Sequence, residues 1–189
     1  MLQIDQAGLV LALAEALKKH GSWAGETHVQ KASYFLKVML EVPLNVKFIL
    51  YKHGPFSFDL RDMLSEMEAA DMVKWEPRPL PYGPSLAPGA TSARVVAMSA
   101  AVRTFSTQIE FVAEKLAGKK VTELERLATA LYVSGDHQTP CRERPLRINA
   151  LKPHVSVAEA EAAVNEMDAI RAEAVQLKLV NPQAVGTCG

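Results

Sequence analysis

The stretch YKHGPFSFDL, residues 51–60, decides how this chain folds, because an apolar run ends at a Gly-Pro pair and a helical pattern follows at once. Val46 to Tyr51 is rich in β-branched and aromatic residues, which predicts a short strand. Gly54 and Pro55 are expected to end that strand. Ser57 can then cap a helix that runs to Asp71. Helical spacing gives this helix one apolar face, made of Leu60, Met63, Leu64 and Met67.

The flanking segments complete a recognisable order of elements. Helices are predicted at 4–20, ended by Gly21, and at 26–41. A strand is predicted at 72–76, a long Pro-rich insertion at 77–91, and a returning strand at 94–98. Two helices, a strand, a helix and a hairpin in this order are typical of a winged-helix domain. We therefore predict a mainly α (α+β) protein whose residues 1–99 form a winged-helix-like core with a small antiparallel sheet and a Pro-rich wing.

Residues 100–181 are predicted to form helices that pack on this core. An apolar stripe at helical spacing runs from Val102 through Phe105 to Leu116 and indicates one buried face. Thr122–Glu125 and Ser156–Glu159 both match the capping-box pattern that opens a helix. Between these helices, residues 136–153 are predicted to be a polar, Arg-rich loop, and residues 182–189 a frayed tail.

Composition limits the classes of partner. The 21 basic and 21 acidic residues give a net charge of zero, so no overall field directs the protein to nucleic acid or to an anionic membrane. The amino terminus has no basic leader and its apolar run is too short to cross a bilayer, so we expect a cytoplasmic protein without a membrane partner. With only Cys141 and Cys188 present, we expect reduced thiols.

Catalytic motifs are weak. Asp136-His137 with Cys141 is the one compact candidate, and it lacks the remaining groups of a metal site or of a thiol-imidazole pair. The sequence has no H-E-x-x-H pattern and no Gly-rich phosphate loop. We therefore predict a protein that is not an enzyme and that uses no cofactor and no metal.

The predicted helix at 57–71 is strongly acidic, with five acids against the single base Arg61. Such a helix is poorly suited to DNA, because Lys and Arg supply most of the affinity for phosphate. Its acids could simply form a solvated face, or they could bind a protein partner. In the second interpretation, the partner-binding residues are Asp59, Asp62 and Glu66, together with Tyr82 of the Pro-rich wing.

Basic side chains gather in the loop at 136–153, where they could bind phosphate or pair within the protein. They are Arg142, Arg144, Arg147 and Lys152. This group supports an alternative function, a winged-helix DNA-binding regulator that could act as a homodimer. Binding by such a regulator would depend steeply on salt concentration.

Two motifs resemble a known family. QKASYFL at 30–36 and YKHGPFS at 51–57 resemble the Q-K-x-x-Y-x-L and Y-G-P-[FY]-S signatures of the YwgA-like uncharacterised bacterial proteins and, more distantly, the Panacea domain of SocA-type antitoxins. Residues 124–132 and 151–154 are similar to the carboxy-terminal half of the YwgA-like proteins. The resemblance implies a winged-helix-like core without an established catalytic activity, and an antitoxin-like or adapter-like regulatory role. The Pro-rich insertion departs from the pattern of the family.

Overall fold

The computed structural model describes residues 3–80, 83–135 and 139–180. Its helices are α1 (Gln3–Lys19), α2 (Glu26–Tyr34), α3 (Phe58–Ala69), α4 (Ser92–Met98), α5 (Ala100–Thr104), α6 (Ser106–Leu116), α7 (Val121–Ser134), α8 (Arg144–Leu151) and α9 (Val157–Gln176). Its strands are β1 (Ile49–Tyr51), β2 (Gly54–Phe56), β3 (Val73–Glu76) and β4 (Ser85–Pro88). A π-helical turn, Phe35–Met39, extends α2, and a 3-10 turn, Cys141–Glu143, leads into α8. The predicted mainly α (α+β) class is confirmed.

Each antiparallel sheet in the described ranges is a two-stranded hairpin. In the first, β1 pairs with β2 and Tyr51 lies opposite Gly54. In the second, β3 pairs with β4 directly after α3, at the position where a wing was predicted. β1 ends before Gly54 and Pro55, as expected, but these two residues also begin the returning strand β2, which the pattern did not predict. Pro55 donates no hydrogen bond, and its carbonyl accepts one from Lys31 instead.

Two predictions on the amino-terminal half are corrected. The insertion at 77–91 is not loop throughout, since it contains β4. The strand predicted at 94–98 is wrong, because residues 92–98 form α4. Val95 and Val96 suggested a strand by their β-branched side chains. In the folded chain Val95 is buried and α4 packs on α1, so tertiary packing overrides the local preference.

In the carboxy-terminal half, the structure differs from the elements predicted from the sequence in three places. Phe105 interrupts the predicted stripe, which is divided between α5 and α6. The predicted loop at 136–153 contains α8, which has a proline in its first turn. The capping box predicted to begin at Thr122 begins instead at Lys120, whose backbone N–H donates to the Glu123 carboxylate at 2.6 Å. The box at Ser156 is confirmed, with the Glu159 carboxylate accepting from the Ser156 N–H at 3.0 Å.

Both halves share one apolar core. α1 packs against α2, α4, α5 and α6, while α7 packs against α2, α8 and α9. Because α2 contacts both central helices, it joins the two sides of the core, and the β1–β2 hairpin rests on α2 and α7. None of the helices in the described ranges is both long enough and apolar enough to cross a membrane.

Three predicted features lie outside the described residues. They are Tyr82, His137 and the tail at 182–189.

Candidate functional site

The outward face of the β1–β2 hairpin is aromatic. Ile49 and Tyr51 lie on the same face of β1, and Phe56 lies opposite Ile49 on β2. Ile49 is 49% exposed, Tyr51 53%, and the adjoining Phe58 of α3 42%. The solvent face of a small antiparallel sheet is normally polar, so a continuous apolar surface here is unusual. We call Ile49, Tyr51, Phe56, Phe58 and Arg61 the hairpin patch.

Contacts within the hairpin patch hold its rings in place without burying them. The Phe58 ring lies edge-on to Tyr51 at 5.5 Å and to Phe56 at 5.1 Å between centroids. The Arg61 guanidinium lies 5.2 Å from the Phe56 ring centre and 5.9 Å from that of Phe58. Edge-to-face and cation-π geometries of this kind are favourable. The rings of the hairpin patch therefore pack on one another and on Arg61 while staying partly open to solvent.

Beneath the hairpin, long polar side chains hold its backbone. Lys31 Nζ donates to the Pro55 carbonyl at 2.7 Å. Lys152 Nζ donates to the carbonyls of Tyr51 and Lys52, both at 2.6 Å. Both lysines are buried. Gln30, also on α2, forms a reciprocal pair with the backbone of Ser57, at 2.9 and 3.0 Å. The hairpin is thus bound to α2 and to the end of α8 by side chains that replace water at its carbonyls.

Glu125 of α7 supplies the negative charge that balances these two lysines, and its side chain is also buried, with the residue only 6% exposed. Its Oε1 lies 3.8 Å from Lys152 Nζ and 3.3 Å from His154 Nε2, and its Oε2 lies 3.5 Å from His53 Nδ1. Oε1 makes no hydrogen bond with the described residues. Both histidine side chains are mostly exposed. The Glu125 carboxylate also acts electrostatically on the buried Lys31 ammonium. We call Lys31, Glu125 and Lys152 the charge cluster, in which one carboxylate balances two buried ammonium groups.

Gly54 allows the hairpin to approach α7 closely. Its φ is +81°, in the region that favours glycine. A Cβ there would lie 3.1 Å from Thr129 Oγ1 and 3.3 Å from the Glu125 carbonyl oxygen. A larger residue at this position would therefore have a strained backbone and would press the hairpin against α7.

Lys31 makes stability depend on pH in the alkaline range. Burial lowers the pKa of Lys31 from 10.5 to about 8, although the Glu125 carboxylate opposes this change. Between these values the unfolded chain binds the proton and the folded protein does not, so the free energy of unfolding rises with pH, by up to about 1 kcal/mol per pH unit. Urea denaturation from pH 7.5 to 9.5 should show this rise in the wild type.

The matched variant is Lys31→Met, in which the free energy of unfolding should rise much less with pH. A smaller rise should remain because burial also lowers the pKa of Lys152. Equal slopes in the two proteins would contradict the assignment. The measurements stay below about pH 10 because Tyr34 lowers the free energy of unfolding at higher pH. Burial raises the pKa of Tyr34, so its hydroxyl ionises more readily in the unfolded chain.

The sequence-predicted partner residues lie beside the hairpin patch. Asp59, Asp62 and Glu66 of α3 are exposed, on the helix that also carries Phe58 and Arg61. Asp59 Oδ2 accepts from the Lys47 N–H at 2.7 Å. These acids therefore flank the hairpin patch on one side.

The sequence-predicted nucleic-acid residues do not share one surface. Arg142 and Arg147 are exposed, but Arg144 and Lys152 are buried. The Arg144 guanidinium forms a bidentate pair with Asp168 at 2.9 and 2.6 Å and also donates to Ser134. Arg144 and Lys152 are therefore engaged in contacts within the protein. Of the four predicted residues, Arg142 and Arg147 are the two whose side chains an external phosphate could reach.

The weak catalytic candidate gains no support. Cys141 is disulfide-bonded, so the expectation of a reduced thiol there is wrong. With two cysteines only one pairing within the chain is possible, but the sequence does not show whether the two thiols come close enough in space to form it. In the part of the chain that the structure describes, no group of three His, Cys, Asp or Glu side chains could hold a metal ion.

Reasoning from the sequence missed the charge cluster. The helical spacing of α2 places Gln30 and Lys31 off its apolar line, and the Thr122–Glu125 pattern assigns Glu125 to a cap. Charged side chains on helices are usually solvated, and spacing does not distinguish the exceptions. The available signal was the placement of Gln30-Lys31 and of Lys152 in segments that resemble the YwgA-like proteins.

No protein-family model matches this chain, and no curated protein matches it. The resemblance to the YwgA-like proteins and the Panacea domain therefore stays a prediction from short motifs.

Proposed function

We propose that this protein is a non-enzymatic protein-interaction or regulatory module that binds another protein through the hairpin patch. The exposed aromatic cluster on a firmly held hairpin carries the proposal. Tyr, Phe and Arg are enriched at protein interfaces, and well-packed anchors of this kind supply most of the binding energy. Because the rings already pack on one another, little entropy is lost when they bind.

The charge beside the hairpin patch defines the chemistry of the partner. Asp59, Asp62 and Glu66 give this side of α3 a negative potential. A complementary segment would bring apolar side chains to the rings and Lys or Arg to the acids. The resemblance to the Panacea domain would make this partner a toxin that the protein neutralises, or a client that it delivers as an adapter.

The DNA-binding alternative has less support. The helix that would enter the major groove exposes acids. Two of the four predicted basic contacts are buried in contacts within the protein. Counterion release, which drives binding to DNA, would therefore be small.

Site-specific photo-crosslinking tests the proposal. A benzophenone amino acid at Phe58 should crosslink in native lysate to a protein segment that combines apolar residues with flanking Lys or Arg, and nuclease treatment should not change the yield. The matched control places the same group at Glu161, which is exposed on α9. Equal crosslinking from both positions, or products only with nucleic acid, would contradict the proposal.

A further inference from the structure

β1 is the outer strand of its hairpin. Its sheet has two strands, so β1 pairs with β2 on one side only. β2 is the strand that packs on α2 and α7, which leaves β1 farther from the core. The strand itself, Ile49–Tyr51, carries none of the charged side chains or prolines that usually protect a sheet edge from pairing.

The register shows which backbone groups face the outer edge. The hairpin loop has two residues, so Tyr51 and Gly54 form the hydrogen-bonded pair that closes it. Bonded and non-bonded pairs alternate along antiparallel strands, which makes Leu50 and Pro55 a non-bonded pair. The Pro55 carbonyl agrees with this, because it turns away from β1 and accepts from Lys31. The N–H and C=O of Leu50 therefore face away from β2, and neither has a hydrogen-bond partner among the described residues.

The side chains beside this edge specify what a neighbouring strand would carry. Exposure alternates from residue 47 to residue 51, which puts Lys47, Ile49 and Tyr51 on one face. The Lys47 side chain is exposed and forms no ion pair with a described residue. Residues directly opposite each other on adjacent strands are in contact. A strand beside β1 would thus suit apolar residues opposite Ile49 and Tyr51, and an acid opposite Lys47.

We propose that the partner adds an extended segment to β1 as a third, antiparallel strand, with apolar residues opposite Tyr51 and Ile49 and an acidic residue opposite Lys47. The inference rests on the proposed function and deepens it by naming the conformation and the pattern of the partner segment. One residue of the segment exchanges two backbone hydrogen bonds with Leu50. The backbone bonds supply affinity, and the alternating side chains supply specificity. The partner's basic residues, which meet the acids of α3, lie outside the added strand.

A short synthetic strand tests the proposal on the protein alone. The probe is the peptide acetyl-Thr-Val-Thr-Val-Thr-Glu-amide, whose valines meet Tyr51 and Ile49 and whose glutamate meets Lys47. The matched control carries an N-methyl group on the threonine between the valines, which removes the N–H that donates to the Leu50 carbonyl. In an NMR titration we expect a saturable downfield shift of the Leu50 amide proton. The N-methyl peptide should bind at least about tenfold more weakly.

Two variants at one position make the result specific. Leu50→Pro removes the N–H at a place where β1 makes no bond to β2, so the hairpin stays paired and binding of the probe should be lost. Leu50→Ala keeps that N–H and should bind the probe within about threefold of the wild type, because the Leu50 side chain points away from the exposed face.

Equal binding of the two peptides, or no shift of the Leu50 amide, would overturn the inference. So would a Leu50 shift that follows protein concentration without peptide, because the edge would then receive a second copy of this chain. Crosslinking at Phe58 is a separate readout. A crosslinked protein without probe binding would mean that the partner docks on the hairpin patch without adding a strand. Probe binding without a crosslinked protein would instead count against the proposed function.

Discussion

Replacing Glu125 with leucine should lower the free energy of unfolding by about 3 kcal/mol or more. The Glu125 carboxylate lies 3.8 Å from Lys152 Nζ and also acts electrostatically on the buried Lys31 ammonium. Without it, two buried charges of like sign face each other beneath the hairpin, and the desolvation they suffered on folding is no longer offset. Urea denaturation at pH 7 measures the change.

Two further variants make this result specific. Glu161→Leu, at an exposed position of α9, should stay within about 0.5 kcal/mol of the wild type. The triple variant Lys31→Met, Glu125→Leu, Lys152→Met removes every charge of the cluster and should recover part of the lost stability. If Glu125→Leu alone is as stable as the wild type, the charge cluster does not hold the hairpin as we describe.

The double variant Tyr51→Lys, Phe58→Lys should weaken binding of the crosslinked partner by at least about 100-fold. Both rings are about half exposed, so the loss of their ring contacts should lower the free energy of unfolding by only about 1–2 kcal/mol and leave the protein folded. The loss follows from removing two anchors at the centre of the proposed interface and placing positive charge against a basic partner. Biolayer interferometry with the immobilised variant measures affinity, and urea denaturation confirms that the protein is folded.

The matched control is Leu146→Lys, Val157→Lys, which makes the same change of charge at two exposed apolar residues away from the hairpin. It should bind the partner like the wild type. Reversing Asp62 and Glu66 to lysine should cause a smaller loss that shrinks at high salt, because those acids contribute through screened charge. If Leu146→Lys, Val157→Lys loses as much affinity for the partner as Tyr51→Lys, Phe58→Lys, the hairpin patch has no special part in binding.

The strongly periodic elements were predictable from the sequence. α1 and α3 begin and end near the expected residues, and α9 begins at its expected cap, because caps and apolar spacing are local signals. Ser57 accepts from the Leu60 N–H at 3.1 Å, as its position before an amphipathic run indicated. The predicted strand before the Gly-Pro pair is also present, although it is limited to Ile49–Tyr51.

The candidate site was only partly predictable. The sequence identifies the acids of α3, but it assigns Tyr51 only to a strand and Phe58 only to the first turn of a helix. Local sequence shows that Tyr51, Phe56 and Phe58 favour β structure and apolar surroundings; it does not show which side of the hairpin meets the core. That side is decided by Pro55 and Gly54 packing against α2 and α7, which turns the aromatic residues outward.

The sequence by itself determined the limits of α1 and α3, the neutral overall charge and the acidic surface of α3, because each depends on residues close together in the chain or on composition. Only the tertiary structure decided that Lys31, Glu125 and Lys152 meet beneath the hairpin. These residues are far apart in sequence, and their burial is tolerable only when all three are brought together, since each alone would remain in water.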